Sequence, residues 1–499
     1  MIDLTLTEVA AAIGGRRTDA ASPRVTGNVQ VDSRLVGPGD LFVALPGERV
    51  DGHDFVDAAL AAGAAGALVT RRPAGTDPDR LVEVDDTQEA LGRLAAFVVD
   101  RLPGLVVIGV TGSAGKTSTK DMLAHLLSRH APTVAPAGNQ NNEIGVPMTA
   151  LRVDVDSRYL VSEMGARGIG HIRYLTGLVH PRIGVVLNVG TAHLGEFGSR
   201  EAISQAKGEL VESLAPDGTA VLYADDPLVA AMAARTRARV VWFGHGPDAD
   251  VRAEQVTVDA AGRASFRLRL PGCEPVPVRL GFVGVHHVAN ALAAAAAAHA
   301  AGLPPAAVAA GLTAARPRAR WRMQVTERAD RITVVNDAYN ASPDSMASAL
   351  RTLATVAAGP GRRSIAVLGE MLELGVASAA EHERIGRLLV ELGIDRLLVV
   401  GEGARPIYTG AVSAWAQAGT TGAGGSSTSG GRRPRAGAQT GAGKGRATIV
   451  ADRAQAAQVL ADELAGGDVV LVKSSRDAGL RWLGDELAGL APTPGEAGE

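Results

Sequence analysis

The stretch LVVIGVTGSAGKTSTKDMLAHLLS, residues 105–128, decides the fold class. Its opening run, 105–110, is apolar throughout, as in a strand that a parallel sheet buries on both faces. A glycine-rich turn follows, and then Met122, Leu123, Leu126 and Leu127 fall at helical spacing. Strand, turn and helix N-terminus are the parts of a phosphate-cradling loop, because unpaired N–H groups and the positive end of the helix dipole both attract an anion. Gly112, Ser113, Ala114, Gly115, Lys116, Thr117 and Ser118 would line the phosphates. The two glycines free the backbone to point inward, Lys116 reaches the β and γ oxygens, and the Thr117 hydroxyl suits a magnesium ion. The general pattern has glycine six residues before the lysine; Val110 stands there, so this loop is a variant.

Outward from the loop, the chain divides into three. A length of 499 residues exceeds what one core can serve, since domains run to ~100–200 residues each. Residues 1–102 alternate short β-type runs (41–45, 67–69, 81–84) with helical stretches (55–62, 88–99), giving a small α/β domain. Pro103 and Gly104 break that pattern. A central domain, 103–317, then continues through strands at 159–162 and 183–188 in the alternation of a doubly wound parallel sheet, ending near the helix 288–301. Residues 318–499 form a third, Rossmann-like α/β domain with strands at 332–335, 364–368, 396–400 and 469–472. Within it, 418–446 is rich in Gly, Ser and Thr and lacks large apolar side chains, so it is expected to be a flexible insertion.

Bulk properties exclude several classes. Apolar residues make up 46% and charged residues 21%, a globular composition. A net charge of −3 provides no field for nucleic acid or anionic lipid, so a small-molecule substrate is expected. Cys273 is the single cysteine, which rules out an internal disulfide or thiolate cluster and fits a reducing compartment. The N-terminal MIDLTLTEVA lacks a secretory pattern, and the apolar run 291–301 falls short of the ~18 residues of a membrane span. The expectation is a cytoplasmic protein with no membrane or nucleic-acid partner, acting as a monomer.

A phosphate loop alone says only that a nucleotide is bound. Glu163 ends the strand 159–162, at the sheet edge where a doubly wound fold presents side chains to its ligand, and a carboxylate there suits magnesium. His193, after the next strand, faces the same crevice. Lys207 sits in the helical stretch AISQAKGEL, where an exposed lysine is the ordinary reading.

The motifs TGSAGKTSTK, GNQNNEIGVP (138–147), SEMGARG, NVGTAHLGEFGS followed by AKGE, GVHHVAN (284–290) and NDAYNASPDS (336–345) occur in the order seen in Mur ligases, which the chain resembles over all three domains. The N-terminal DSRLVGPGDLFVALPGERVDGHDF looks like the UDP-binding domain of the later amino-acid-adding members. GNQNNEIGVP, YNASPDS and VKSSR (472–476) resemble the member that adds D-alanyl-D-alanine, and the DNPR-type motif of the preceding step is not found. The resemblance implies that Lys116 and Thr117 serve ATP phosphates and Mg²⁺, with Glu163 and His193 holding the metal and Lys207 carbamylated to organise it. Asn290 would contact adenine, and Arg322 and Asp337 would meet ribose and phosphates. Ser33 and Arg34 would receive the uridine nucleotide, and Asn340, Lys473, Ser475 and Arg476 the dipeptide side. One departure is His287, where the family has asparagine.

The chemistry so implied is attack of the terminal carboxylate of UDP-N-acetylmuramoyl-tripeptide on the γ-phosphate of ATP, then displacement of phosphate by the amine of D-alanyl-D-alanine. Lys116, Lys207 and His193 would be its central side chains. A related ligase with another acceptor, a folate-type glutamyl ligase and a nucleotide-binding protein without ligase activity are the alternatives.

Overall fold

The computed structural model describes residues 1–18, 22–47, 50–421 and 446–491. Three larger sheets organise the described residues.

The first sheet is small and parallel, with strands Val29–Gln30, Leu41–Val43, Gly66–Val69 and Leu81–Glu83 in spatial order. The helix Thr87–Asp100 follows it, started by Asp86, whose carboxylate accepts the Glu89 N–H. Its buried face, including Leu91, Leu94 and Val98, joins the first unit to the central one in a continuous apolar core.

The central sheet has nine strands in the order Val276–Val283, Arg263–Arg269, Val251–Val258, Arg239–Gly244, Thr219–Tyr223, Ile183–Val186, Val106–Thr111, Tyr159–Glu163 and Thr133–Val134. From Val251–Val258 to Thr133–Val134 the pairings are parallel, as a doubly wound sheet requires. The sequence reading did not foresee the two antiparallel strands that extend its edge. The alternation was present in RASFRLR, whose Ala264, Phe266 and Leu268 are buried while Arg263 and Arg267 are exposed. The helix His287–Ala300 is buried along nearly its whole length, and its alanines let it lie close against the phosphate-loop helix Lys116–Ser128. Among the described residues no helix is long and apolar enough to cross a membrane.

The third sheet runs Gln324–Glu327, Thr333–Asn336, Asp468–Lys473, Arg363–Leu368, Arg396–Val400, Ala447–Val450; only the first strand is antiparallel. The helix Arg405–Thr421 runs four residues into the stretch read as an insertion, because AGTT at 418–421 contains no proline to end it. The remainder of that stretch up to residue 445 lies outside the described residues.

Candidate active site

The phosphate loop leaves the strand Val106–Thr111 and enters the helix Lys116–Ser128 through Gly115, whose φ of +84° only glycine adopts without strain. Asn188, at the end of the neighbouring strand, braces the loop from below. Its side chain accepts from Ala114 N at 2.9 Å and donates to Ala114 O at 3.1 Å, while its carbonyl accepts from Ser113 N at 3.1 Å. Lys116 Nζ donates back to Gly112 O at 2.8 Å, in the pose of a lysine curled over its own loop. Burial lowers the Lys116 ammonium below the usual lysine range; Glu163 opposes that shift and Arg322, from the third unit, adds to it.

Glu163 ends its strand fully buried and is gripped on both oxygens. Thr117 Oγ1 donates to Oε2 at 3.0 Å and Asn141 Nδ2 to Oε1 at 2.8 Å. Lys120 explains how Asn141 is held there: its buried ammonium donates to Pro136 O at 2.9 Å and Gly138 O at 3.2 Å, pinning the segment that leads into GNQNNEIG. Lys207 is only 4% exposed on the helix Arg200–Glu212. Burial first, and the Lys116 charge second, push its amine well below the usual lysine range. His193 sits in the left-handed region at φ +61°. Burial pushes its ring down to about 4, Lys116 adding to this against the pull of Glu196, so the imidazole is neutral near pH 7. Its buried Nδ1 makes no hydrogen bond, although Glu373 Oε2 lies 2.6 Å away. Of the expected metal holders, Thr117 and Glu163 touch each other, whereas His193 groups instead with Glu196 and Glu373, their ligand atoms lying within 4.8 Å of one another, a set that suits a hard divalent cation.

The third unit closes over this set at two points. Asp344 Oδ2, in the first turn of the helix Pro343–Val356, accepts from Thr191 N at 3.0 Å and Thr191 Oγ1 at 3.2 Å. Glu373 O accepts from Gly195 N at 2.9 Å. Sequence reasoning passed over both acids, since nothing in their local spacing marks them. Arg322 stacks on Tyr339, its guanidinium carbon 4.2 Å from the ring centroid. Asn290 packs against the loop: a Cβ on Gly115 would lie 2.4 Å from Asn290 Oδ1. The Asn290 amide nitrogen lies 3.3 Å from Nδ1 of His287, whose ring burial keeps neutral.

Lys473, 2% exposed, donates to Asp337 Oδ2 at 2.6 Å, Asp337 O at 3.2 Å and Asn340 O at 2.9 Å. Its three N–H groups are thereby engaged inside the third unit. Ser475 Oγ accepts from Leu372 N at 2.9 Å, tying the VKSSR turn to the segment that carries Glu373. Arg476 lines a cleft of ≈ 770 Å³ at the carboxyl edge of the third sheet, with Glu370, Glu402, Asp452, Arg453 and Trp482. Ser33 and Arg34 stand apart on the first unit, where Arg34 is exposed and forks onto Asp32 through Nε at 2.9 Å and Nη2 at 2.6 Å. That pairing holds the Asp32 carboxyl below the ordinary range.

This geometry has clear relatives. Residues 26–98 match the model described as Mur ligase family, catalytic domain; residues 110–298 match the Mur ligase middle domain; residues 321–476 match the Mur ligase, glutamate ligase domain. The UDP-N-acetylmuramoyl-tripeptide–D-alanyl-D-alanine ligase of Mycobacterium tuberculosis is 48% identical, covering 98% of each chain. The crystal structure of MurF from Acinetobacter baumannii superposes with a TM-score of 0.82 at 32% identity, covering 98% of this chain and 99% of that one. MurF ligase from Thermotoga maritima in complex with ADP superposes with a TM-score of 0.74 at 29% identity, over 92% and 96%. Three matching domain models in register with three sheets, and a full-length relative at this identity, establish that the chain belongs to the Mur ligase family.

Proposed function

We propose that this ligase joins the amine of D-alanyl-D-alanine to the terminal carboxyl of UDP-N-acetylmuramoyl-tripeptide, with cleavage of ATP to ADP and phosphate. The observation that carries the reading is the likeness, over 98% of both chains, to a ligase named for that reaction. The division of labour follows the units read from the sequence: 1–102 for the uridine nucleotide, with Ser33 and Arg34 at its entrance, 103–317 for ATP, and 318–499 for the dipeptide.

In this reading the loop from Gly112 to Ser118 receives the ATP phosphates, Asn290 the adenine, and Arg322 and Asp337 the ribose and phosphates. The tripeptide carboxylate attacks the γ-phosphorus, the bond to the ADP oxygen breaks, and an acyl phosphate forms. Lys116 stays close to the transferring oxygens while negative charge spreads over them, so its contribution is greatest in the transition state. The dipeptide amine then attacks the acyl carbon and phosphate leaves. Arg476 in the third-sheet cleft, with Ser475 next to it in the chain, takes the dipeptide carboxylate, an arginine fork being suited to it. Lys473 shapes the wall by fixing Asp337 and Asn340. Docking of the third unit through Asp344 and Glu373 keeps water from the acyl phosphate.

Thr117, Glu163 and His193 would hold Mg²⁺, together with a carbamylated Lys207. When bound, the ion neutralises charge on the phosphate oxygens. Carbamylation needs a neutral amine, and the buried, low-affinity ammonium of Lys207 meets that requirement. The protein would act in the cytoplasm, as a monomer.

The test is ADP release with ATP, UDP-N-acetylmuramoyl-tripeptide and D-alanyl-D-alanine. The expected result is stoichiometric pentapeptide product and little release when either substrate is omitted. Equal turnover with an unrelated amino acid as acceptor would overturn the assignment of the acceptor.

A further inference from the structure

The segment RWRM, 320–323, is held in an unusual backbone shape by a residue far along the chain. Trp321 has φ +57° and Met323 φ +48°, so Arg322 is flanked by two non-glycine residues in the left-handed region. Each such residue is strained, and the shape persists only where its surroundings over-determine it. The backbone ties are Trp321 N to Gln324 Oε1 at 3.1 Å, Tyr339 N to Trp321 O at 3.1 Å and Met323 N to Asp337 Oδ1 at 2.9 Å.

The side-chain tie comes from the helix Leu480–Leu487. Asp485, 3% exposed, accepts from Trp321 Nε1 at 2.8 Å and Arg320 Nη2 at 2.8 Å on one oxygen, and from Asn336 Nδ2 at 3.1 Å on the other. The helix comes close enough for this because residue 484 is glycine: a Cβ there would lie 2.3 Å from Asn336 Cγ. Trp482 meets the Trp321 ring edge-on at 5.2 Å between centroids.

A buried carboxylate is a weak way to gain stability compared with apolar packing, but it fixes orientation. What is oriented here is Arg322, the residue between the two strained positions, stacked on Tyr339. Its charge is among those that lower the Lys116 ammonium. We propose that Asp485 is a positioning residue for the nucleotide site: by clamping Trp321 and Arg320 it locks the strained backbone that aims Arg322 at the ATP phosphates. The proposal rests on the reading of Arg322 as a nucleotide contact.

The experiment is a double-mutant cycle on the full-length enzyme, reading the KM for ATP, the KM for D-alanyl-D-alanine and ATP affinity by calorimetry. Asp485→Asn keeps the volume but puts an amide N–H₂ against groups that are themselves donors. The expected result is a rise of about tenfold in ATP KM and Kd, with the dipeptide KM within about twofold. In the Arg322→Ala background, Asp485→Asn should add nothing, because the residue it positions is gone. An additive effect would mean that Asp485 serves the fold in general and would overturn the proposal. An unchanged ATP affinity in Arg322→Ala alone would instead remove Arg322 from the nucleotide site, and the proposal with it. Should Asp485→Asn fail to fold, Trp321→Phe, which removes the indole N–H together with part of the ring, is expected to give the same non-additive pattern, and an additive one would again overturn the proposal.

Discussion

Replacing Lys116 by methionine separates the needs of the reaction from those of the fold. In the free protein desolvation disfavours the charged form of the ammonium, and the Arg322 charge adds to this. Its one hydrogen bond, to Gly112 O at 2.8 Å, is of the charged type that contributes about 1.5–3 kcal/mol. Desolvation of a buried cation costs a comparable few kcal/mol, so the two nearly cancel. Methionine keeps the stem and drops both terms, and the net change in stability should fall within about ±1 kcal/mol, or roughly ±4 °C in melting temperature for a domain of this size. The reaction has no such compensation, since the lysine meets charge that develops on the transferring phosphoryl group. Loss of one such donor typically lowers turnover by about 10²–10³-fold. The assays are steady-state ADP release and thermal melting of the free enzyme. Near-normal turnover in a folded Lys116→Met variant would refute the phosphate-loop assignment, and a fall of ten degrees or more with turnover retained would make the lysine a structural clamp (a shift roughly 2.5 times the largest expected here).

Gly115→Ala places a side chain at φ +84°, about 1–2 kcal/mol of strain, with its Cβ 2.4 Å from Asn290 Oδ1; ATP KM should rise at least about tenfold, and an unchanged KM would show that Asn290 is free to move aside. Asp344→Ala removes the acceptor of two bonds from Thr191 across the unit boundary, so the radius of gyration by X-ray scattering with ATP present should increase and kcat should fall by roughly tenfold. Burial pushes His286 down to about 4 from 6.5. The unfolded chain therefore takes up this proton at higher pH than the folded one, and the stability is fully present above 6.5 and lost as pH falls toward about 4. Between pH 7.5 and 4.5 this amounts to at most about 2.5 kcal/mol, so urea denaturation of His286→Gln should show a smaller pH-dependent loss than wild type.

The strand, loop and helix of 105–128 were legible because each piece is local: an apolar run, two glycines and a helical stripe. The parallel strands at 159–162, 183–188, 332–335, 364–368, 396–400 and 469–472 were legible for the same reason, whereas Thr219–Tyr223, Arg239–Gly244 and Ala447–Val450 were not read from the sequence. Lys207 was not, since its burial comes from packing in the folded unit and its helix reads as an ordinary amphipathic one; only the resemblance singled it out. The antiparallel edge strands Arg263–Arg269 and Val276–Val283 were missed although Ala264, Phe266 and Leu268 alternate with polar residues, because the arginines between them read as surface. Asp344, Glu373 and Asp485 lie far along the chain from Thr191, Gly195 and Trp321; the first two contacts are decided by how the units dock and the third by how the third unit folds. Spacing along a sequence carries no such information.

The central claim, activation of the tripeptide carboxyl through an acyl phosphate, is tested most directly by isotope transfer. UDP-N-acetylmuramoyl-tripeptide carrying ¹⁸O in its terminal carboxylate is turned over with ATP and D-alanyl-D-alanine, and the released phosphate is analysed by mass spectrometry. The account requires one ¹⁸O from the carboxylate in each phosphate released and one oxygen fewer from that carboxylate in the pentapeptide. Phosphate free of ¹⁸O beside a correctly formed amide would contradict it.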